Sequence, residues 1–300
     1  KNHKQIYPKA GWVEHDANEI YENVLKLAKE IMNFYYMDIK FLSITNQRET
    51  FVIFDKYTGL PLHNAIVWQC RRGQEICQKI SKLENSESII KNKTGLKLDT
   101  YFPASKLKWL IDENKEIELK LKNGDALFGT IETYLIYRLS NLKSYVTDYT
   151  NASRTLIFNN DKLKWDNDLL DLFELNIKTL PEVKENSSFF GKTDFNNIFN
   201  KEVDIFGVIG DSQGSLFANQ CFNKGDTKIT LGTGASILTN IGENFIINND
   251  SVTSLSYVHK GKVSYSYECL INYAGAIISW LKDNLQIISD PEETDNISYK

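Results

Sequence analysis

"VDIFGVIGDSQGSLFANQCF", residues 203–222, is the stretch of this sequence that decides the fold. An apolar run typical of a buried β-strand covers 203–210, and a helix-like segment covers 214–222. Asp211 stands between them, directly after Gly210. A carboxylate at a strand end is well placed for chemistry, but an aspartate there also serves as a turn residue or as the N-cap of a helix. The local sequence leaves both interpretations of Asp211 open.

Strand and helix patterns alternate outward from this stretch. Strands are predicted at 39–45, 50–55 and 64–69 and as a pair within 227–242, and helices at 17–33, 105–114, 128–141, 165–175 and, tightly packed, 272–288. Asp16 is the expected N-cap of the first helix, with Glu19 closing a capping box. This alternation favours a layered α/β fold.

The composition argues against several classes of protein. A formal net charge of -4 and a pI near 5.7 give no electrostatic reason to expect a nucleic-acid partner. No apolar run approaches the roughly 20 residues that cross a bilayer, and the first residues show no signal peptide. The cysteines form no CxxC pair and predict buried, reduced thiols in a cytoplasmic protein; they are Cys70, Cys77, Cys221 and Cys269.

The segment "LGTGAS", residues 231–236, is a candidate phosphate-binding turn. Gly232 and Gly234 flank Thr233 directly after a strand-like run. Glycines let backbone N–H groups approach phosphate oxygens, and a hydroxyl adds a further donor. A tight hairpin between two strands explains the same residues, so both interpretations stay open here.

Donors, acceptors and aromatic rings follow other strand-like runs. "ITNQRET", residues 44–50, places Arg48 beside Glu49, and such a pair offers both donors and acceptors to a polyhydroxylated molecule. Trp68 in "VWQCRR" and Tyr101 in "DTYFPASK" add aromatic faces. A surface charge pair and ordinary core aromatics account for the same residues equally well.

Taken together and in this order, these motifs resemble the FGGY family of carbohydrate kinases, and within it the branch that phosphorylates glycerol. The resemblance runs from about residue 5 to 282, and "YFPASKLKWLIDE" is similar to the first signature of the family. The other stretches that carry it include "QIYPKAGWVEHDANEI", "ITNQRET", "NAIVWQCRR", "VTDYTNASRTLIFN" and "LGTG".

The resemblance implies an actin/Hsp70-like fold, in which two ribonuclease H-like α/β domains flank a cleft. Residues 1–220 would form a near-complete polyol-binding domain, and 221–300 the beginning of a nucleotide-binding domain. The first strand and phosphate loop of the family would then precede residue 1, and the rest of the second domain would follow residue 300.

The resemblance also implies a reaction, the transfer of a phosphoryl group from ATP, with Mg²⁺, to glycerol to form sn-glycerol 3-phosphate. Asp211 falls on the general-base position. The polyol-contacting positions are Arg48, Glu49, Trp68, Tyr101, Asp211 and Ser212. The nucleotide-contacting positions are Gly232, Thr233, Gly234 and Gly275, and no metal ligand is assigned. A kinase for another polyol or sugar, and a truncated non-catalytic kinase, are the alternatives; a homo-oligomer is also compatible with the resemblance.

Three serines depart from the family pattern. Ser212 stands where a substrate-contacting glutamine is usual, Ser236 where a phenylalanine lines the pocket, and Ser279 where a nucleotide-site glutamine is usual. The shorter side chains at 212 and 236 predict either room for a polyol somewhat larger than glycerol or an enzyme that is not optimal for glycerol. The segment 189–203 has no histidine of the kind that some bacterial members phosphorylate, so no such regulation is expected.

Overall fold

A computed structural model describes residues 1–34, 39–232, 234–271 and 273–298. Its strands are β1 (Gln5–Ile6), β2 (Glu14–His15), β3 (Phe41–Asn46), β4 (Phe51–Asp55), β5 (Ala65–Ile66), β6 (Ala126–Thr130), β7 (Val146–Asp148), β8 (Phe158–Asn159), β9 (Lys164–Trp165), β10 (Glu182–Lys184), β11 (Phe189–Thr193), β12 (Val203–Gly210), β13 (Thr227–Leu231), β14 (Ala235–Gly242), β15 (Val252–His259) and β16 (Lys262–Ile271). Its helices are α1 (Ala17–Phe34), α2 (Gln74–Ser81), α3 (Ser86–Thr94), α4 (Pro103–Glu113), α5 (Lys115–Asn123), α6 (Ile131–Leu139), α7 (Tyr149–Ala152), α8 (Asn167–Leu172), α9 (Asp211–Ala218), α10 (Gly275–Asp283) and α11 (Glu293–Ser298).

The central strand β12 lies between β11 and β3 in a three-stranded sheet. It runs parallel to β3, with Gly210 opposite Asn46, and antiparallel to β11. Because β3 and β12 are parallel, their carboxyl ends meet at one edge of the sheet. The residues that follow them, Arg48–Glu49 and Asp211, are thereby brought to the same place.

Helix α9 begins three residues earlier than the sequence pattern indicated. It starts at Asp211 rather than near 214, and Gly210 is its N-cap, in an extended conformation. Asp211 therefore follows β12 without a loop, in the first turn of the helix, where a negative charge is favoured by the helix dipole.

The strand β4 forms the centre of the main apolar core. It lies in a five-stranded sheet of order β1-β2-β5-β4-β6, and the expected hairpin partner β5 pairs with it antiparallel. Phe51 and Ile53 pack into one buried cluster, and Val52 and Phe54 into another on the opposite face. Helices α2 to α5 cover the first face, and α1 and α6 cover the second. Burial on both faces explains why "FVIF" is uninterrupted by polar residues.

Strand β6 was missed by the sequence pattern, which predicted one helix over 128–141. Residues 126–130 pair antiparallel with β4, and only Ile131–Leu139 are helical. Thr130 ends the strand and is the N-cap of α6, so no turn residue separates the two elements. The apolar residues of β6 and α6 therefore form one continuous run in the sequence, which the pattern assigned to a single helix.

The strands β13 to β16 form a separate four-stranded sheet of order β13-β14-β16-β15. We call it the second sheet, because it follows the sheets of the first part of the chain. The expected pair within 227–242 is confirmed as the antiparallel hairpin β13–β14. This sheet packs directly on the first part of the chain through a buried cluster that contains Ala152, Phe158, Ile241, Leu255 and Tyr265. The backbone N–H of Thr253 also donates to the carbonyl of Gly95, at 3.0 Å.

Several local predictions are confirmed and others are corrected. Asp16 caps α1 by accepting from the N–H groups of Asn18 and Glu19. The Glu19 carboxylate accepts from the N–H of Lys4 instead of closing a capping box on Asp16. The helix expected over 165–175 is limited to α8. The apolar helix α10 forms, but it is not tightly packed. None of its side chains is buried, Trp280 included, since no element within the described residues covers the helix.

The cysteines agree only in part with the expected buried, reduced thiols. All four cysteines are free thiols, and Cys70 and Cys221 are buried, but Cys269 is exposed. Cys269 lies beside the buried Glu268 on β16, and alternation along the strand turns it to the opposite, open face.

No helix within the described ranges combines the length and apolarity that crossing a membrane requires.

Candidate active site

Arg48 and Glu49 form a turn at the carboxyl end of β3, and both side chains are buried. Glu49 has a φ of 61°, and the N–H of Thr50 donates to the carbonyl of Arg48 at 2.7 Å. Side chains of consecutive residues in a strand point to opposite faces, so the left-handed backbone at Glu49 is what lets both point inward. The interpretation of this pair as a surface charge pair is therefore wrong.

The Arg48 guanidinium is held on several sides. It makes a two-pronged contact with Glu268, with Nη2–Oε1 at 2.7 Å and Nη1–Oε2 at 3.3 Å. Nη1 also donates to Gln213 Oε1 at 3.3 Å, and Nε lies 3.6 Å from Asp211 Oδ1. Burial lowers the pKa of Arg48, but Glu268 and Glu49 outweigh this effect and hold the pKa well above its usual value. The side chain is thus a permanently charged and fixed donor.

Arg154 and Glu268 are partners that the sequence reasoning missed. Arg154 Nη1 lies 2.6 Å from Glu268 Oε2, and its Nε lies 2.6 Å from Glu49 Oε1. We call Arg48, Glu49, Arg154 and Glu268 the charge cluster; its side chains are all at most 4% exposed. Burial raises the pKa of Glu268, but the two arginines outweigh it and lower this pKa to about 2. The available signals were an arginine within "VTDYTNASRTLIFN" and a single acid in the middle of β16.

Trp68 and Tyr101 lie together beside the charge cluster. Their ring centroids are 5.3 Å apart, and the Arg154 guanidinium carbon lies 5.9 Å from the centroid of the Tyr101 ring. Burial and the charge of Glu49 raise the pKa of Tyr101, so its hydroxyl stays protonated and available as a donor. The structure therefore brings the two aromatic candidates to the Arg48–Glu49 turn.

Lys106 is a third residue that the sequence reasoning did not single out. Its Nζ is buried in α4 and donates to the carbonyls of Val67, Trp68 and Tyr101, at 3.2, 3.3 and 3.1 Å. Burial is the main reason why the pKa of Lys106 falls to about 8. One ammonium group thus ties together the two segments that carry the aromatic rings. The lysine of "YFPASKLKWL" was visible in the sequence, but its partners were not.

Asp211 differs from its neighbours because its side chain is 54% exposed. Its Oδ1 accepts from the N–H of Ser212 at 2.7 Å and faces Arg48 Nε. The helix N-cap is Gly210, so the N-cap interpretation of Asp211 is wrong. A carboxylate that is open on one side and faces a cation on the other is suited to accept a proton from a bound hydroxyl.

Gly210 is required for this arrangement. A Cβ at this position would lie 2.8 Å from Arg48 Cγ and 2.9 Å from its Cδ. These atoms cannot move freely, because the guanidinium beyond them is bound to Glu268. Only glycine lets the arginine pass this close to the strand end.

The glycine positions of the second sheet also come together. The N–H of Gly232 donates to the carbonyl of Gly234, and the N–H of Gly275 donates to the carbonyl of Gly232, both at 2.9 Å. Gly275 is the first residue of α10, and the N-terminus of a helix favours anions. Thr233, the remaining candidate, lies outside the described residues. The hairpin is confirmed, and it places the glycines beside a helix start, so the two interpretations do not exclude each other.

The three serines of interest occupy different surroundings. Ser212 is half-buried in the first turn of α9, and Ser279 is exposed on α10. Ser236 lies on β14 opposite Thr230, and its hydroxyl is buried without a hydrogen-bond partner among the described residues. Across the ranges that the structure covers, no group of three or more His, Cys, Asp or Glu side chains could hold a metal ion.

Comparison with known proteins identifies the family. Residues 1–218 match the model of the FGGY family of carbohydrate kinases, N-terminal domain. The chain is 45% identical over 301 aligned positions to a glycerol kinase of Staphylococcus epidermidis, and 44% identical over 300 to glycerol kinase 1 of Thermotoga maritima. These matches cover 99% of this chain and about 60% of the relatives, so the chain spans about three fifths of their length.

Solved structures agree with this assignment. The crystal structure of Plasmodium falciparum glycerol kinase with ADP superimposes with a TM-score of 0.93 at 38% identity, over 99% of this chain and 60% of that one. Xylulose kinase from Lactobacillus acidophilus superimposes with a TM-score of 0.86 at 22% identity, over 100% of this chain and 60% of that one, and shows the fold alone. The expected actin/Hsp70-like α/β fold is confirmed. The chain therefore belongs to the FGGY family of carbohydrate kinases.

Proposed function

We propose that this chain is part of an ATP-dependent glycerol kinase, which transfers the γ-phosphoryl group of ATP to a primary hydroxyl of glycerol. The observation that carries the proposal is the half-exposed Asp211 carboxylate, 3.6 Å from the buried Arg48 guanidinium, at the shared edge of β3 and β12. The similarity to glycerol kinases of two bacteria and of Plasmodium falciparum supports it.

Asp211 acts as the general base in this proposal. A new bond forms between the glycerol oxygen and the γ-phosphorus, and the bond from that phosphorus to the bridging oxygen of ADP breaks. The hydroxyl proton passes to the Asp211 carboxylate. Arg48 Nε, 3.6 Å from Asp211 Oδ1, holds the inner side of the carboxylate and leaves its other side open to the substrate.

The remaining hydroxyls of glycerol bind to the Arg48–Glu49 turn, where donors and acceptors are adjacent. Trp68 and Tyr101 offer an apolar surface for the carbon chain, and the Tyr101 hydroxyl adds a donor. Ser212, in the first turn of α9, is the sixth contact that we assign. Lys106 fixes the two segments that carry the rings, because its Nζ donates to the carbonyls of Trp68 and Tyr101.

ATP binds, as its magnesium complex, at the second sheet. Gly232, Thr233 and Gly234 between β13 and β14, together with Gly275 at the start of α10, are the positions that we assign to the nucleotide. Backbone N–H groups suit phosphate oxygens; those of Gly232 and Gly275 already donate to carbonyls and shape the turn, so other N–H groups of this region would contact the phosphates. No side chain is assigned to the magnesium ion.

We divide the chain accordingly into a polyol-binding domain, 1–220, and the beginning of a nucleotide-binding domain, 221–300. We place the protein in the cytoplasm, which the four free thiols support. Its partners are then the two substrates, and a homo-oligomer is compatible with this assignment.

A second candidate function is phosphorylation of a larger polyol or a sugar. The observation that favours it is Ser236, a small side chain with a buried hydroxyl that has no partner in the described part of the chain. A substrate with one more hydroxyl could supply that partner, and a buried hydrogen bond of this kind typically contributes about 0.5–1.5 kcal/mol.

The test is a steady-state assay of ADP formation with the complete gene product, magnesium, ATP and a series of polyols from three to five carbons. We expect the highest kcat/KM with glycerol. Turnover of erythritol or xylitol without turnover of glycerol would replace the first candidate by the second. Absence of turnover with any member of the series, from a folded protein that still binds ADP, would indicate the non-catalytic alternative.

A further inference from the structure

Glu268 occupies an unusual place for a charged side chain. It lies in the middle of β16, opposite Leu238 of β14 on one side and Val252 of β15 on the other, and it is fully buried. A carboxylate in such a position costs several kcal/mol in desolvation unless it is paired. Its presence therefore requires partners of opposite charge.

Those partners come from the other part of the molecule. Glu268 Oε1 lies 2.7 Å from Arg48 Nη2, and Oε2 lies 2.6 Å from Arg154 Nη1. Arg48 follows β3, and Arg154 follows α7, whereas Glu268 belongs to the second sheet. One carboxylate thus closes the charge cluster by joining two arginines of the first 220 residues to the sheet that precedes α10.

The same strand leads to Gly232 and Gly234 between β13 and β14, which we call the glycine turn. From Glu268, β16 runs to Ile271, and α10 begins at Gly275, whose N–H is bound to Gly232 at 2.9 Å. Strand β14, which starts just after Gly234, pairs with β16 from Ala235 to Gly242. Because β14 and β16 are joined by the hydrogen bonds of one sheet, the backbone beside Gly234 and the backbone that carries Glu268 hold each other in register.

Arg48 is in turn the residue that faces Asp211. Its two terminal nitrogens are engaged by Glu268 and Gln213, and this leaves Nε turned towards Asp211 and Glu49. A shift of Glu268 would rotate the guanidinium away from Asp211, because a two-pronged contact fixes the plane of the fork.

We propose that Glu268 is a positioning residue that couples the two substrate sites: it sets the orientation of Arg48 and Arg154 from the strand that also holds the glycine turn. Ligand at either site favours the same placement of β16, so each substrate raises the affinity for the other. The inference rests on the proposed function of both sites.

Two variants test this in the complete gene product. Glu268→Gln keeps the size of the side chain but removes its charge, and Glu268→Asp keeps the charge but shortens the reach. Glu243→Gln is the matched control, because Glu243 is an exposed glutamate just after β14. Circular dichroism establishes which variants are folded.

The readout is the dissociation constant of magnesium-ADP, measured by calorimetry with and without saturating glycerol, and the reciprocal measurement for glycerol. We expect at least fivefold tighter binding of each ligand in the presence of the other in the unsubstituted protein and in Glu243→Gln. The factor should fall below twofold in Glu268→Gln and to an intermediate value in Glu268→Asp.

Full coupling in either folded Glu268 variant would overturn the inference, as would absence of coupling in the unsubstituted protein. If Glu268→Gln does not fold, Glu268→Asp decides alone. The proposed function has its own test, turnover of glycerol by the unsubstituted protein. If only a larger polyol is turned over, the same binding measurements are made with that polyol.

Discussion

Arg48 Nε lies 3.6 Å from Asp211 Oδ1, although the arginine side chain is 4% exposed and the aspartate side chain is 54% exposed. The pair therefore crosses the boundary between the protein interior and solvent. Asp211 gains a fixed cation on its inner side and stays open to a ligand on its outer side. This asymmetry separates it from an ordinary surface ion pair.

Replacing Asp211 by asparagine should remove the proton acceptor without disturbing the fold. We expect kcat for glycerol to fall by about 10²–10⁴, with a change of about 0.5 kcal/mol or less in the free energy of unfolding. Steady-state kinetics and urea denaturation measure the two effects. Asp204→Asn is the control and should keep normal turnover, because Asp204 lies on β12, the strand that leads to Asp211, and pairs with Lys192 at 3.8 Å. A kcat within threefold of normal would remove Asp211 as the base.

Gly210→Ala tests whether Arg48 must pass close to the strand end. The added Cβ would lie under 3.0 Å from Arg48 Cγ and Cδ, so the guanidinium has to move. We expect kcat/KM for glycerol to fall more than tenfold. At Gly214, on the next turn, the nearest atom to an added Cβ is Ile209 Cγ2 at 3.2 Å, which a small shift relieves. Gly214→Ala should therefore retain activity, and equal losses in both variants would argue against the steric explanation.

Lys106→Met should loosen the aromatic side of the pocket. The three carbonyls that Nζ now satisfies would lose their donor, including those of Trp68 and Tyr101. We expect KM for glycerol to rise at least tenfold while kcat changes less, because in the proposed function the rings contact the substrate but do not react. Lys108→Met is matched on the same helix, where Lys108 makes ion pairs with Asp112 and Glu174 at the surface. Such pairs contribute about 0–1 kcal/mol, so KM should be unchanged there.

His15 gives the stability of the chain a dependence on pH. Burial and the neighbouring His3 lower the pKa of His15 from 6.5 to about 4, and its Nε2 is buried without a partner among the described residues. Between these values the unfolded chain binds more protons than the folded chain, so stability is complete above pH 6.5 and is lost as the pH falls towards 4.

The contribution of His15 is at most about 1.4 kcal/mol per pH unit. Urea denaturation of the 300-residue chain between pH 4.5 and 7 should show this slope, and His15→Gln should reduce it. His63→Gln serves as the control, because the His63 side chain is partly exposed. An unchanged slope in His15→Gln would assign the pH dependence to other groups.

Sequence patterns were sufficient where the determinants are local. The strand and helix around Asp211, the β13–β14 hairpin and the capped helix α1 each follow from residues that are neighbours in the chain. The boundary between β6 and α6 was lost because Thr130 and Ile131 are adjacent and both elements are apolar.

The charge cluster could not be predicted in this way. Arg48 and Glu268 are 220 positions apart, and Glu49 and Arg154 are 105 apart. Nothing in the local sequence of either partner specifies the other, since the pairing depends on how the second sheet packs on the first part of the chain. The family resemblance supplied the candidate positions of the pocket, but not the residues that hold them.

Interdependence within the charge cluster bears on how such an enzyme can diverge. Replacing any one member leaves a buried charge without its partner, which typically costs about 3–5 kcal/mol. Single substitutions within the charge cluster are therefore strongly disfavoured. Ser236 carries no such tie, because its hydroxyl has no partner within the described residues, and Ser212 lies on the half-open first turn of α9. Under the proposed function, new substrate preferences are therefore expected to arise by replacement of Ser212 and Ser236 one at a time, while the four charged residues of the cluster are retained together.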